Sequence, residues 1–187
     1  LILAMQHRLR RVLMDNGQNP DRLRFVLITA GGLLPTHHPR VSRAFARVFK
    51  ERAIELHLDS EVIAVEPGLV RCVGGTEILL DETLWVTQAG AAPLPMASGL
   101  ACDANGFVRV RDTLQTVTNP EIFAAGDVAA VEVHPRPKAG VFAVRQGRPL
   151  AENLRRVLAG QRPKPFVPQR KFLSLISTGD RYAVASR

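Results

Sequence analysis

The sequence predicts an α/β chain built on parallel strands, with an antiparallel three-stranded meander inserted and the architecture incomplete at both ends. Three observations carry this reading. Helical periodicity alternates with short, almost wholly apolar runs at the start of the chain, the order expected of βαβ wiring. The period then changes to two across residues 61–80, interrupted by the turn pairs Pro67-Gly68 and Gly74-Gly75. A later apolar run, Ile122 to Ala125, ends on Gly126-Asp127, as a short buried strand does.

Each element follows from its residues. Ile2, Met5, Leu9, Val12 and Leu13 fall on one helical face, with Arg8, Arg10 and Arg11 opposite, and Asp15-Asn16-Gly17 stops the helix. Phe25-Val26-Leu27-Ile28 has the composition of a parallel strand covered on both faces, and Ala30-Gly31-Gly32 turns out of it. Val41, Phe45, Val48 and Phe49 mark a second helix over 39–52, and a strand is expected over 54–58. The meander is expected at 61–66, 69–73 and 76–80. Leu84-Trp85-Val86-Thr87 then reads as a further buried strand, stopped by the run from Gln88 to Pro93.

Asp103-Ala104-Asn105-Gly106 is a hairpin turn leading into a strand over 107–111. Ile122-Phe123-Ala124-Ala125 reads as a short buried strand that Gly126-Asp127 ends. This places the Asp127 carboxylate at a strand's carboxyl end, where open α/β sheets bind ligands, and an ionised carboxylate there accepts hydrogen bonds from a polyol. A helix from Ala139 runs through Leu150, Leu154, Val157 and Leu158, with Gly160 as its stop; Pro149 is expected to kink it or open its second half. Residues 161–168 are a proline-rich connector, and 172–177 a final strand.

Bulk properties narrow the function class. At 187 residues, 46% hydrophobic and 22% charged, the chain is long enough for a sizeable core and reads as soluble. Its apolar runs fall short of the roughly 20 residues a membrane span requires. Cys72 and Cys102 form no CxxC and fit a reducing cytoplasm. His7, His57 and His134 have no partner at metal-ligand spacing, so no metal is expected. The net charge of +8 raises a basic binding module for nucleic acid or an anionic surface as the alternative function. Its cations are scattered, with few aromatics between them, which disfavours nucleic acid.

The run Thr118 to Asp127, with Ile122-Phe123-Ala124-Ala125-Gly126-Asp127 at its end, resembles the second flavin-binding signature of the pyridine nucleotide-disulfide oxidoreductase superfamily. The succession of hairpin turn, short strand, polar segment and Gly-Asp is similar too. So is Thr87 to Pro93, which resembles the Ala-Thr-Gly-x-x-Pro closing the nicotinamide domain. The resemblance implies an FAD/NAD(P)-binding Rossmann-like fold, with a partial NAD(P)-binding domain over 1–92, a partial FAD-binding domain over 93–160, and a connector with the start of a carboxyl-terminal domain over 161–187. It assigns the FAD ribitol to Asp127 beside Gly126, the flavin's pyrimidine edge to the helix start at Ala139, Gly140 and Val141, and a cofactor contact to Gly90.

The implied activity is hydride transfer from NAD(P)H to flavin and onward to a small-molecule acceptor, with no side chain assigned as acid, base or nucleophile. The absence of a CxxC points to the branch of type II NADH dehydrogenases. Of the glutamines that quinone reductases carry on the helix after Gly-Asp, Gln146 is present, while other places hold Val141 and Arg145. The ending from Leu175 to Ser186 resembles the flavoprotein segment associated with selenide, water dikinase. The partners this reading admits are an acceptor such as a quinone, a peripheral membrane contact and a homodimer.

No GxGxxG occurs, and the chain starts without methionine inside a helical pattern. It therefore reads as a truncated fragment of a longer enzyme, holding FAD weakly or not at all and inactive by itself. The strand at 25–28 ends in Thr29 and not in the acidic residue of NAD-preferring relatives, and His37, His38 and Arg40 suit either a 2′-phosphate or solvent.

Overall fold

The computed structural model describes residues 1–87 and 89–186. The chain divides into two units, Leu1–Leu84 with Leu173–Arg187, and Trp85–Phe172. The division falls after Leu84, and the last segment belongs with the first unit.

In the first unit α1 (Ile2–Asp15), β1 (Phe25–Ile28), α2 (Pro39–Glu51) and β2 (Ile54–His57) follow in the expected order. β1 pairs with β2 in parallel, Phe25 opposite Ile54 and Ile28 opposite His57. Alternate residues of β1 serve two cores. Phe25 and Leu27 pack with Leu3, Val41, Phe45, Phe49 and Ile54, whereas Val26 and Ile28 pack with Val70, Cys72 and Ile78. The uninterrupted apolar run is thus a strand covered on both faces. Helix α2 begins at Pro39 behind an N-cap, His38, whose side chain accepts the Arg40 N–H, and it buries Val41, Phe45 and Phe49.

The packed face of α1 differs from the expected one. Its buried residues are Leu3 and Gln6, and Leu9 is exposed. Gln6 takes an interior position because its amide donates to the Arg52 carbonyl at 2.9 Å, which satisfies the donor that burial would otherwise strand. The meander forms as expected from β3 (Val62–Glu66), β4 (Leu69–Cys72) and β5 (Glu77–Leu79), all antiparallel. Residues 84–87 do not form the expected strand: Leu84, Trp85 and Val86 are 57%, 58% and 65% exposed. Their apolar character resembles a buried strand, but no neighbouring strand pairs with them among the described residues.

The second unit contains the short helix α3 (Leu94–Ala97), then β6 (Val108–Val110) and β7 (Ala129–Val131), paired in parallel. The hairpin turn forms as read: Asp103 accepts the N–H groups of Asn105 and Phe107, each at 2.9 Å. The strand beside Gly126-Asp127 is displaced from its expected place. Residues 122–125 are extended but joined only through a bridge from Phe123 to Gln115. Gly126, at φ +76°, turns the chain through a 3-10 turn, Gly126–Val128, and β7 begins after it. Asp127 therefore precedes a strand instead of ending one.

Helix α4 (Gly140–Leu158) continues through Pro149, and its second half does not open. Buried Asn153 holds that half by donating to the carbonyls of Thr113 at 3.0 Å and Lys164 at 2.8 Å while accepting the Lys164 N–H at 2.8 Å. Among the described residues no helix is long and apolar enough to cross a membrane.

The chain then returns to the first unit as the hairpin β8 (Ser174–Ser177) and β9 (Ala183–Ser186). Ile176 and Val184 join the core of Leu3 and Phe45. The hairpin tip is tied to α2, for Arg52 donates to the Thr178 carbonyl at 2.9 Å and pairs with Asp180. At that tip Gly179 has φ +87°, and a Cβ there would stand 2.7 Å from both Ala4 Cα and the Leu3 carbonyl.

Two predictions follow from this packing. Gly179→Ala is expected to cost more than about 3 kcal/mol, because left-handed strain adds to a backbone clash. By contrast Gly75→Ala, at φ +85° with open space around it, costs about 1 kcal/mol; urea unfolding of both variants measures the difference. The second concerns Glu55, which accepts from Arg24 at 2.7 Å and contacts His57 at 2.6 Å. His57 and then Arg24 hold its carboxyl below the ordinary value of 4.5. A depressed carboxyl stabilises the fold above that ordinary value and loses its contribution as pH falls through the lowered one. Glu55→Gln is expected to cost up to about 1 kcal/mol at neutral pH, in keeping with the exposure of the pair. In acid the difference from the unsubstituted chain disappears, as thermal unfolding across pH will show.

Candidate functional site

The second unit brings two predicted segments together. Gly126 donates its N–H to Gln146 Oε1, in the second turn of α4, at 2.5 Å. A Cβ at Gly126 would lie 3.6 Å from Ala143 Cβ, an ordinary contact. The glycine is therefore required by its left-handed φ and not by crowding. The turn continues into Asp127, which is exposed.

The three helix-start residues stand where the sequence places them. Ala139 is the N-cap, Gly140 the first helical residue and Val141 the next. Ala139 supplies no side-chain cap and the first turn contains no acidic residue. The amino end of α4 thus keeps its partial positive charge and its outward N–H groups unopposed by local carboxylates. Gly90 is exposed and has nothing near it that a Cβ would touch, so the structure does not join it to Asp127. Gln88, in the same run, lies outside the described residues.

Two residues matter here that the sequence reading did not place. Lys138, counted there among scattered basic residues, donates from Nζ to the Ala129 carbonyl at 2.6 Å and lies 3.9 Å above the centre of the Phe107 ring. Burial pushes its ammonium below the ordinary lysine value, while the carboxylates of Asp103 and Asp127 oppose that shift. The available signal was its position directly before a helix N-cap. Gln146 was read as a quinone-side glutamine, yet its side chain is buried and its carbonyl oxygen is turned to Gly126.

In the first unit, Thr29 at the end of β1 spends its hydroxyl on Gly31, with Thr29 Oγ1 3.2 Å from the Gly31 carbonyl. His37 Nδ1 lies 2.8 Å from Ser186 Oγ, and His38 is engaged as the cap of α2. Among the described residues no group of three or more histidine, cysteine, aspartate or glutamate side chains could hold a metal ion.

The donor and acceptor set of the second unit fits a flavin. An exposed carboxylate on a fixed turn suits the hydroxyls of a ribityl chain, and an uncapped helix start suits an electron-rich ring edge.

The chain is 29% identical over 146 residues to the type II NADH:quinone oxidoreductase of Haemophilus influenzae, covering 68% of this chain and 33% of that protein. It is 29% identical over 144 residues to an NADH dehydrogenase-like protein of Mycobacterium tuberculosis, covering 70% of this chain and 36% of that protein. The chain therefore spans about a third of the length of these curated relatives.

Among solved structures, the sulfide:quinone oxidoreductase of Aquifex aeolicus superposes with a TM-score of 0.76 at 18% identity, over 98% of this chain and 48% of that one. A water-forming NADH oxidase of Lactobacillus brevis, bound to NADH, superposes with a TM-score of 0.63 at 19% identity, over 81% of this chain and 34% of that one. Both share the α/β fold. Residues 23–147 match the pyridine nucleotide-disulphide oxidoreductase family, and because that span takes in β1, the meander, the Gly126-Asp127 turn and the start of α4, the chain belongs to this family.

Proposed function

We propose that the whole protein is an FAD-dependent oxidoreductase that takes hydride from NAD(P)H and passes electrons to a small-molecule acceptor. The observation that carries this reading is the junction of the exposed Asp127 turn with the uncapped start of α4, within a chain of this family. The first unit is the nicotinamide side and the second unit the flavin side. A quinone is the acceptor class that the names of the relatives support, and an acceptor dissolved in lipid would bring a peripheral membrane contact.

Bound FAD would supply the two-electron chemistry, and this chain's residues would hold and orient it. Asp127 would accept hydrogen bonds from the ribityl hydroxyls. The N–H groups at Gly140 and Val141, with the helix dipole, would favour negative charge on a reduced flavin held there. The alternative of a basic binding module has less support, because several cations are already engaged. Arg136 donates to the carbonyls of Pro168 and Gln169, Lys138 to Ala129, and Lys164 pairs with Glu152 at 3.3 Å.

Flavin fluorescence quenching tests the assignment. The chain is expected to bind riboflavin weakly, and to bind FAD within about threefold of riboflavin, since it contains no glycine-rich turn to receive a pyrophosphate. Asp127→Ala should weaken both by about tenfold, or ~1.4 kcal/mol, the scale of one charge-assisted hydrogen bond. An Asp127→Ala chain that quenches as well as the parent, or a parent chain that does not quench at all, would sink the flavin reading.

A further inference from the structure

The turn that presents Asp127 is gripped on both flanks. Upstream, the Gly126 N–H reaches Gln146 Oε1 at 2.5 Å. Downstream, Lys138 Nζ reaches the Ala129 carbonyl at 2.6 Å. The two anchored backbone groups bracket Asp127 and Val128. Both anchors come from the same place, since Lys138 immediately precedes the N-cap of α4 and Gln146 lies in its second turn.

Neither side chain is free to drift. Gln146 is 6% exposed, so its carboxamide has few competing partners in water. The Lys138 ammonium rests against the face of Phe107, which belongs to the hairpin that Asp103 organises. This contact favours the charged form by cation–π attraction. Burial works against it and sets the net downward direction, and the charges of Asp103 and Asp127 oppose that burial. The ammonium thus meets one aromatic face and one carbonyl directly, while Asp103 and Asp127 act on it only through their charge.

We propose that Lys138 and Gln146 are positioning residues that together fix the Asp127 carboxylate for the ribityl chain of the flavin. The inference rests on the flavin reading given above. It goes beyond that reading in assigning two residues that do not themselves touch the cofactor. It also gives Gln146 an inward, backbone-holding role in place of contact with an acceptor.

The test uses the full chain, labelled with nitrogen-15 and free of flavin, followed by riboflavin titration. Gln146→Leu should speed exchange of the Gly126 amide by at least about tenfold, the consequence of losing its acceptor, and leave the amides of β6 unchanged. Gln146→Glu should restore slow exchange, because a carboxylate oxygen accepts the same bond. Lys138→Met keeps an apolar stem over Phe107 and removes the donor, and provides a second variant that does not alter the helix interior. Asp127→Asn should lower the Lys138 titration further, since it removes one of the carboxylates that favour the ammonium. Riboflavin affinity should fall by about threefold to tenfold in Gln146→Leu and Lys138→Met, the loss expected when a preorganised contact must be ordered on binding.

Unchanged Gly126 exchange in Gln146→Leu would overturn the clamp. Faster exchange with riboflavin affinity equal to the parent's in both variants would overturn the positioning role while leaving the flavin reading intact. A parent chain that binds no riboflavin would overturn the flavin reading, and this inference with it.

Discussion

A carboxamide oxygen and a backbone N–H 2.5 Å apart tie the Gly126-Asp127 turn to helix α4, and much of the second unit depends on that bond. The turn is left-handed at its first residue, so the chain arrives from residues 122–125 and leaves into β7 in a new direction. Without a fixed partner on the helix, a turn of this kind could swing about its glycine. The bond also brings the turn close to α4, where a Cβ at Gly126 would lie 3.6 Å from the Ala143 Cβ.

Polar side chains hold the second unit together where its strands are too short to do so. β6 and β7 are each three residues long and pair with one another, and β6 gains no more than isolated bridges from Val108 to Cys102 and from Val110 to Thr116 among the described residues. Their core of Val108, Val110, Leu114, Ala129 and Val131 is small. Around it, buried amides and hydroxyls take over the satisfaction of irregular backbone. Gln115 donates to the Pro120 carbonyl at 2.7 Å, Thr116 to the Asn119 carbonyl at 2.7 Å, and Asn153 fastens the connector. Each such group is stabilising only while fully paired, so the unit gains a unique conformation from interactions that would be costly if half made.

Periodicity made the first unit legible. The run 25–28 faces two cores, and no amphipathic pattern could have served it; the meander announced itself through turn pairs that fit only short antiparallel strands. What the residues could not disclose was the identity of neighbours. Leu84, Trp85 and Val86 have strand composition without a strand to pair with, and Gln6 replaces Leu9 on the packed face of α1 because a carbonyl distant in sequence awaits it. The Gly-Asp signature pointed to the family that the comparison shows. The strand beside it was assigned to the wrong side, since an apolar Ile-Phe-Ala-Ala run and an Ala-Ala-Val run look alike until one finds a parallel partner. Lys138 stayed hidden for a related reason: a lysine among many basic residues carries no mark of burial.

The hairpin β8–β9 belongs to a unit whose first segment breaks off at Leu84, about 90 residues before it, and this discontinuity governs the order in which the molecule can assemble on the ribosome. The core around Leu3 and Phe45 lacks Ile176 and Val184 until the hairpin residues emerge. The second unit is contiguous and complete earlier, so it can close first. The first unit must then recruit its final hairpin across a long loop, paying closure entropy that grows only slowly with length. Until then the part of that core which Ile176 and Val184 cover stays open.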